Sequence, residues 1–392
     1  MSQQLIDRSP DLKQLRDLGY EIQIKGGYLL IHHIPYVNQA QEIKYGVLVS
    51  DLNLRNTTTT APPSSHVAYF IGEHPCNKDG SKITAIQHAS NTQRLQDDLV
   101  INHSFSNKPQ NGYPDYYCKM SRYAEIISAP AKSIDSSVTE KTFKVIVDEN
   151  EDAVFRYLDT NSSRANINHI SAKFKGQKIA IIGLGGTGAY ILDFVAKTPV
   201  KEIHLFDGDE FLLHNAFRSP GAASSDDLNQ RKPKTQYYEE IYSRMHLNIF
   251  SHNTYIGVDN IDVLQGMSYV FIAIDKDSVK KSIIQYLLKL NIPFIDVGLG
   301  VNLVDDCLIG SVRVTTGTPD KNDHLFDRIS CGDDINNEYA SNIQIADLNA
   351  LNAIMAVVKW KKLSGFYQDL RQEHNSSYSI NVSQLANDDC TV

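Results

Sequence analysis

From Lys178 onward the chain sets apolar runs against polar turns in a fixed order. KIAIIGL (178–184) meets the glycine turn Gly183-Leu-Gly185-Gly186-Thr-Gly188, a helical pattern follows, and a second apolar run, EIHLF, stops at Asp207-Gly208-Asp209. Short apolar runs bounded by turn residues predict strands. Strand, glycine turn, helix and strand make the first half of a nucleotide-binding βαβ unit. Lys232-Pro233-Lys234 then opens a helical stretch, KTQYYEEIYSRM, and the apolar run SYVFIAI halts at Asp275-Lys276-Asp277. NIPFIDVGLG supplies a fifth parallel strand ending in glycines, and CLIGSVRVTT returns antiparallel. Residues 342–362 place Ile345, Leu348, Leu351, Met355 and Val358 at helical spacing, which predicts a helix packed across the sheet.

The first 158 residues follow another rhythm. LKQLRDLGYEIQI predicts a short helix feeding a strand; GYLLIHHI, EIKYGVLVSDL and HVAYFIGEHP read as further strands. KPQNGYPDYYCKMSRYAEIIS reads as a loop and a helix. Two domains are expected, an α+β domain over 1–158 and an α/β domain over 159–392. Tyrosines are dense in the first (Tyr20, Tyr28, Tyr45, Tyr69 and the stretch from Tyr113 to Tyr123), and partial burial in the core accounts for most of them. His66, His74 and Cys76 match no zinc spacing, and Pro75 makes that segment a turn.

At 392 residues the chain is long enough for two cores. A net charge of −8 offers no broad basic surface, so a nucleic-acid partner is not expected. No apolar run approaches the roughly 18 residues of a membrane span, and MSQQLIDRSPDLKQL lacks a secretory pattern. Five cysteines without framework spacing fit reduced thiols and a cytoplasmic setting.

The chemistry gathers at the strand ends. Gly183, Gly185 and Gly188 fit GxGxxG, in which glycines bring the backbone close to a polyphosphate at a helix start. With an acidic residue some 20 positions on, they are also what an NAD site shows. Asn215 and Arg218, Lys234, and Asp275 or Asp277 then recur at or just after successive strand ends, and in an open parallel sheet those ends line one crevice. An NAD oxidoreductase leaves Lys234 and Asp277 without a role.

Residues 160–365 resemble the ThiF/MoeB family of adenylyltransferases, whose fold is shared by ubiquitin-activating enzymes. The likeness rests on GxGGxG at Gly183, Gly185, Gly186 and Gly188, D-x-D at Asp207 and Asp209, N-x-x-R at Asn215 and Arg218, the helix-opening Pro233-Lys234, and the strand-ending Asp277. It implies a Rossmann-like adenylation domain with a mostly parallel sheet, behind an α+β domain like those fused to ThiF modules in bacterial ubiquitin-like conjugation operons. It further implies ATP and Mg²⁺, and attack on ATP by the C-terminal carboxylate of a small ubiquitin-like protein. Arg218 and Lys234 then contact phosphate, Asp207 the ribose, and Asp277 (or Asp275) the metal. Asp209 orients Arg218 or the metal, and Asn215 positions phosphate or Arg218. Arg164 is the candidate for an arginine that relatives take from a partner subunit, which implies a homodimer.

Departures from the pattern leave questions open. Ser278 and Ser282 stand where the family has Asn and Arg, with Lys280 or Lys281 as substitutes. No CxxC pair exists, so the structural zinc of many members has no ligands. Cys331 is the candidate nucleophile for a thioester, with Ser330 or Thr316 as oxyester alternatives; Cys307, in a strand, reads as core. The N-terminal domain is expected to recruit the ubiquitin-like protein or a conjugating enzyme. Sulfur-carrier activation for cofactor synthesis and an inactive scaffold are the competing readings.

Overall fold

The computed structural model describes residues 2–391 except 57, 97, 147–152, 276 and 331–342; the side chains of 2–4, 277 and 278 also lie outside the description. The chain divides into two compact units, Met1–Ile146 with Ser163–Ala165, and Val147–Ser162 with Asn166–Val392.

The first unit holds a six-stranded sheet in the order Ile22–Lys25, Tyr28–Val37, Ile43–Asp51, Val67–Ile71, His103–Ser106, Gln87–Ala89, every neighbour antiparallel. A 19-residue helix, Tyr116–Ile134, starts at Asp115, whose carboxylate caps it by accepting the Cys118 N–H at 2.7 Å. Tyr116, Met120, Tyr123 and Ile127 repeat at helical spacing and are fully buried in the core beside Leu29, Ile31 and Phe70. Tyr20 and Tyr113 are buried too, whereas Tyr45 is exposed. The His74 Nδ1–H donates to the Pro75 carbonyl and the Cys76 thiol to the His74 carbonyl, so both side chains bond within the turn.

In the second unit we number the elements that position the site. They are β1 (Lys178–Ile182), α1 (Gly186–Val195), β2 (Glu202–Phe206), α2 (Lys234–Tyr242), β3 (Ile249–His252), β4 (Tyr269–Ile272), α3 (Asp277–Lys289), β5 (Phe294–Val304), β6 (Cys307–Gly317), α4 (Ala346–Leu363), β7 (Asn375–Ser379) and β8 (Gln384–Asp388). They form one eight-stranded sheet in the order β3-β2-β1-β4-β5-β6-β7-β8. β1 to β5 pair in parallel and β5 to β8 antiparallel.

Alternation along β1 builds two cores. Ile179 and Ile181 join Ile191 and Leu192 of α1 on one face, while Ala180 and Ile182 join Ile283, Ile284 and Leu287 of α3 on the other. The crossovers thus part to opposite faces on either side of β1, the switch point where a doubly wound sheet leaves a crevice at its strand ends. His246 is buried in this unit, its Nε2–H on the Val200 carbonyl.

Three expectations need correction. β5 does not stop at its glycines: pairing with β6 satisfies the backbone through Gly298 and Gly300 as far as Val304. Cys307 consequently sits exposed at the hairpin tip and is not core. α4 starts at Ala346, and its closest-packed side is not the large apolar stripe. Asn349, Asn352, Ala353, Ala356 and Trp360 are buried, while Val358 is exposed. Small residues let α4 lie close against α1, and Leu351 and Met355 pack on a separate cluster with Val301 and Val312. No described helix is long and apolar enough to cross a membrane.

Candidate functional site

A cavity of about 580 Å³ opens at the carboxyl ends of β1, β2 and β4 and extends along β5 and β6. Its floor is the glycine turn. Gly183 holds φ +89°, and a Cβ there would come within 2.4 Å of the Ala273 carbonyl, so only glycine fits. A Cβ on Gly188 would reach 1.9 Å from the Gly183 carbonyl, whereas Gly185 has nothing within 4 Å. Gly185 thus presents bare backbone to the cavity at the start of α1.

Asp207 organises this turn. Its carboxylate accepts the Leu184 N–H at 2.7 Å and the Asp209 N–H at 2.8 Å, with Lys234 Nζ 3.6 Å away. Lys234, the first residue of α2, is 5 % exposed; its Nζ donates to Asp209 at 2.7 Å and its own N–H to the Asp209 carbonyl. The Tyr255 hydroxyl also donates to Asp209, which pushes the phenol pKa up to about 12. Asn215 closes the four-residue helix Leu213–Ala216, its side-chain oxygen accepting the Leu212 N–H. Arg218 follows on the cavity wall, with its Nε buried and unpartnered among the described residues. The Arg218 carbonyl accepts from Asn349, which also accepts the Thr187 hydroxyl, so α4 ties the arginine loop to the glycine turn.

A second cationic group stands on the other side. Asp296 on β5 is fully buried between Lys280 Nζ of α3 at 2.9 Å and Arg313 of β6 at 2.8 Å. Lys280 and Arg313 both line the cavity. Lys281 is exposed and is not among the lining residues.

The structure thus brings Gly183, Gly185, Gly186, Asp207, Asp209, Arg218 and Lys234 to one cavity, with Gly188 packed behind the turn and Asn215 holding the turn that precedes Arg218. Asp275 lines the cavity and is exposed; Asp277 opens α3, but its side chain lies outside the description. Among the described residues no three His, Cys, Asp or Glu side chains are placed to share a metal. A lone carboxylate still suits Mg²⁺, which takes one or two protein carboxylates and completes its shell with water and substrate phosphates. Cys331 lies outside the described residues. Ser330 is on the cavity wall, and Thr316 is buried in β6. Arg164 ends the helix Thr160–Arg164 with its side chain exposed. Lys232 pairs with Glu240 at the surface. Sequence reasoning missed Tyr255, Asp296 and Arg313, whose partners lie on other elements and leave no local signal.

The model of the ThiF family matches residues 168–392, and that of a domain of unknown function, DUF6791, matches residues 10–160. A curated relative, the tRNA threonylcarbamoyladenosine dehydratase of Haemophilus influenzae, is 30 % identical over 133 residues, 32 % of this chain and 49 % of the relative. The chain thus spans about half the length of that protein. Among solved structures, E. coli MccB with ATP aligns at a TM-score of 0.49 and 17 % identity over 60 % of this chain and 74 % of that one. PaaA aligns at 0.47 and 15 % identity over 77 % of this chain and 99 % of its own.

Proposed function

The chain belongs to the ThiF family, and from that premise we propose that it adenylates the C-terminal carboxylate of a small ubiquitin-like protein, consuming ATP and releasing pyrophosphate. The observation that carries this reading is a pair of cations, Arg218 and Lys234, in the cavity whose floor is bare glycine backbone at a helix start; Lys280 and Arg313 line the same cavity apart from them, beside Asp296. Two anions must meet in this reaction, and fixed cations offset the charge that grows on phosphate and leaving group. Arg218, with a buried donor still unspent, forks onto phosphate oxygens, and Lys234 adds a point charge held by Asp209. Asp209 and Asp207 set the position of that ammonium; Asp207 also fixes the glycine turn and keeps acceptor capacity for a ribose hydroxyl. Asp277 or Asp275 would hold Mg²⁺, which when bound neutralises phosphate charge.

In this proposal Arg164 reaches the site from the partner of a homodimer. Transfer to Cys331, or to a hydroxyl such as Ser330 or Thr316, follows as a later step. The N-terminal unit recruits the ubiquitin-like protein or a conjugating enzyme. ATP–pyrophosphate exchange with purified ubiquitin-like proteins encoded beside this chain is the test. Exchange that survives Cys331→Ala and disappears in Asp277→Ala with Asp275→Ala supports adenylation ahead of transfer. Absence of exchange with every carrier, together with tight NADH binding, refutes it.

A further inference from the structure

Asp296, a fully buried carboxylate, needs one cation and has two. Buried charges are retained where they are paired, and this cluster keeps a positive charge to spare, with both cations on the cavity wall. Asp275, the other described carboxylate lining this cavity wall, is exposed and forms no ion pair with either cation. Lys234, by contrast, already faces Asp209 and Asp207. The surplus thus lies along β5 and β6, away from the glycine turn, and calls for an anion there.

The neighbours indicate which anion. Arg313 lies across Gly298, where an added Cβ would come within 2.8 Å of its Nη2. Its guanidinium is fixed by Asp296 on one nitrogen and by the Thr315 hydroxyl on the other. On the same Gly298, Asn352 donates its Nδ2–H to the carbonyl at 2.9 Å, which settles the orientation of the amide. Asn352 is 1 % exposed, lines the cavity, and its Oδ1 has no partner among the described residues. An unspent buried acceptor costs about 1–3 kcal/mol, so it is made to receive a donor. Phosphate oxygens offer none. A peptide C-terminus offers both features, a carboxylate for the cation and an amide N–H for the acceptor, and glycine at 298 leaves room for the Arg313 guanidinium that would meet it.

We propose that Arg313 and Asn352 select the acyl substrate: Arg313 receives the terminal carboxylate of an extended peptide tail, and Asn352 accepts an amide N–H of that tail. Asp296, shared with Lys280, is the positioning residue for Arg313. The inference deepens the adenylation reading and rests on it.

The probes are a fluorescein-labelled octapeptide ending in two glycines with a free carboxylate, its C-terminal amide, and a fluorescent ATP derivative with magnesium. Each is titrated against the full chain, the peptides with and without nucleotide. The acid peptide binds the wild type at least tenfold more tightly than the amide. Arg313→Gln erases that difference and changes nucleotide affinity by less than threefold, and Arg313→Lys restores part of it. Gly298→Ala, which keeps every charge but crowds Arg313, weakens the acid peptide as well, and it covers the case of an Arg313→Gln protein that fails to fold. Asn352→Leu weakens acid and amide peptides alike. Equal binding of acid and amide by the wild type, no binding of the acid peptide, or a nucleotide loss in Arg313→Gln as large as the peptide loss overturns the assignment. A wild type that binds the acid peptide through Arg313 but no nucleotide instead removes the adenylation reading and leaves the anion site standing.

Discussion

Replacing Asp207 by Asn keeps the shape of the side chain and removes its charge, so it separates a structural role from a ligand contact. In the folded protein one carboxylate oxygen accepts the Leu184 N–H and the other the Asp209 N–H, and Leu184 is buried. An amide has one acceptor oxygen; its NH₂ would face the second N–H, donor against donor. One buried donor left unmet costs about 1–3 kcal/mol, and the surviving bond loses its charge assistance, so the expected loss is about 2–4 kcal/mol. For a unit of this size that corresponds to a fall in Tm of about 5–15 °C. The chain has one tryptophan, Trp360, fully buried in the second unit, so its fluorescence follows that unit's unfolding apart from the other. A Tryptophan-monitored Tm within 1 °C of wild type would refute the role assigned to this carboxylate in building the glycine turn, and would leave Asp207 as a ligand contact alone.

Other consequences follow from the same geometry. Lys234→Met lowers ATP–pyrophosphate exchange by about 10²–10³-fold, the scale for losing one fixed charge at the reacting phosphate. It also lowers Tm, because the buried Asp207, 3.6 Å from Nζ, loses its cation, whereas the half-exposed Asp209 returns to water. Gly185→Ala leaves Tm unchanged but weakens binding of fluorescent ATP, since its new methyl projects into open space; Gly188→Ala meets the Gly183 carbonyl and lowers Tm sharply. Burial lowers the His246 pKa to about 4 from 6.5, so the folded state favours the neutral ring. Its contribution is complete above pH 6.5 and is lost as pH falls towards 4; urea titrations read by Trp360 fluorescence should show that loss in wild type and a flatter profile over this window in His246→Gln.

What the sequence made legible was local. The glycine turn and Asp207 follow directly on strand ends, where apolar runs and glycines mark the boundary; Arg218 and Lys234 lie further along the crossover after Asp207, Lys234 at a helix start that Pro233 marks. β1 and β4 were legible because burial on both faces leaves a nearly unbroken apolar run, whereas β3, with the partly buried Ser251 and His252, gave no such run. Asp296, Lys280 and Arg313 were not, since their pairing joins a helix and two strands that no spacing rule connects. The burial of α4 was misjudged because alanine and asparagine, which allow its close approach to α1, do not register as an apolar stripe. Cys307 was read as core because strand periodicity does not reveal that a hairpin outruns its sheet.

The central claim is that one cavity receives the triphosphate on Arg218 and Lys234. A crystal structure of the full chain with ATP and magnesium tests it most directly. The account predicts the phosphates over Gly185, within hydrogen-bond reach of both cations, and the metal between phosphate oxygens and Asp275 or Asp277. Phosphates seated elsewhere, with Arg218 and Lys234 turned from them, would contradict it.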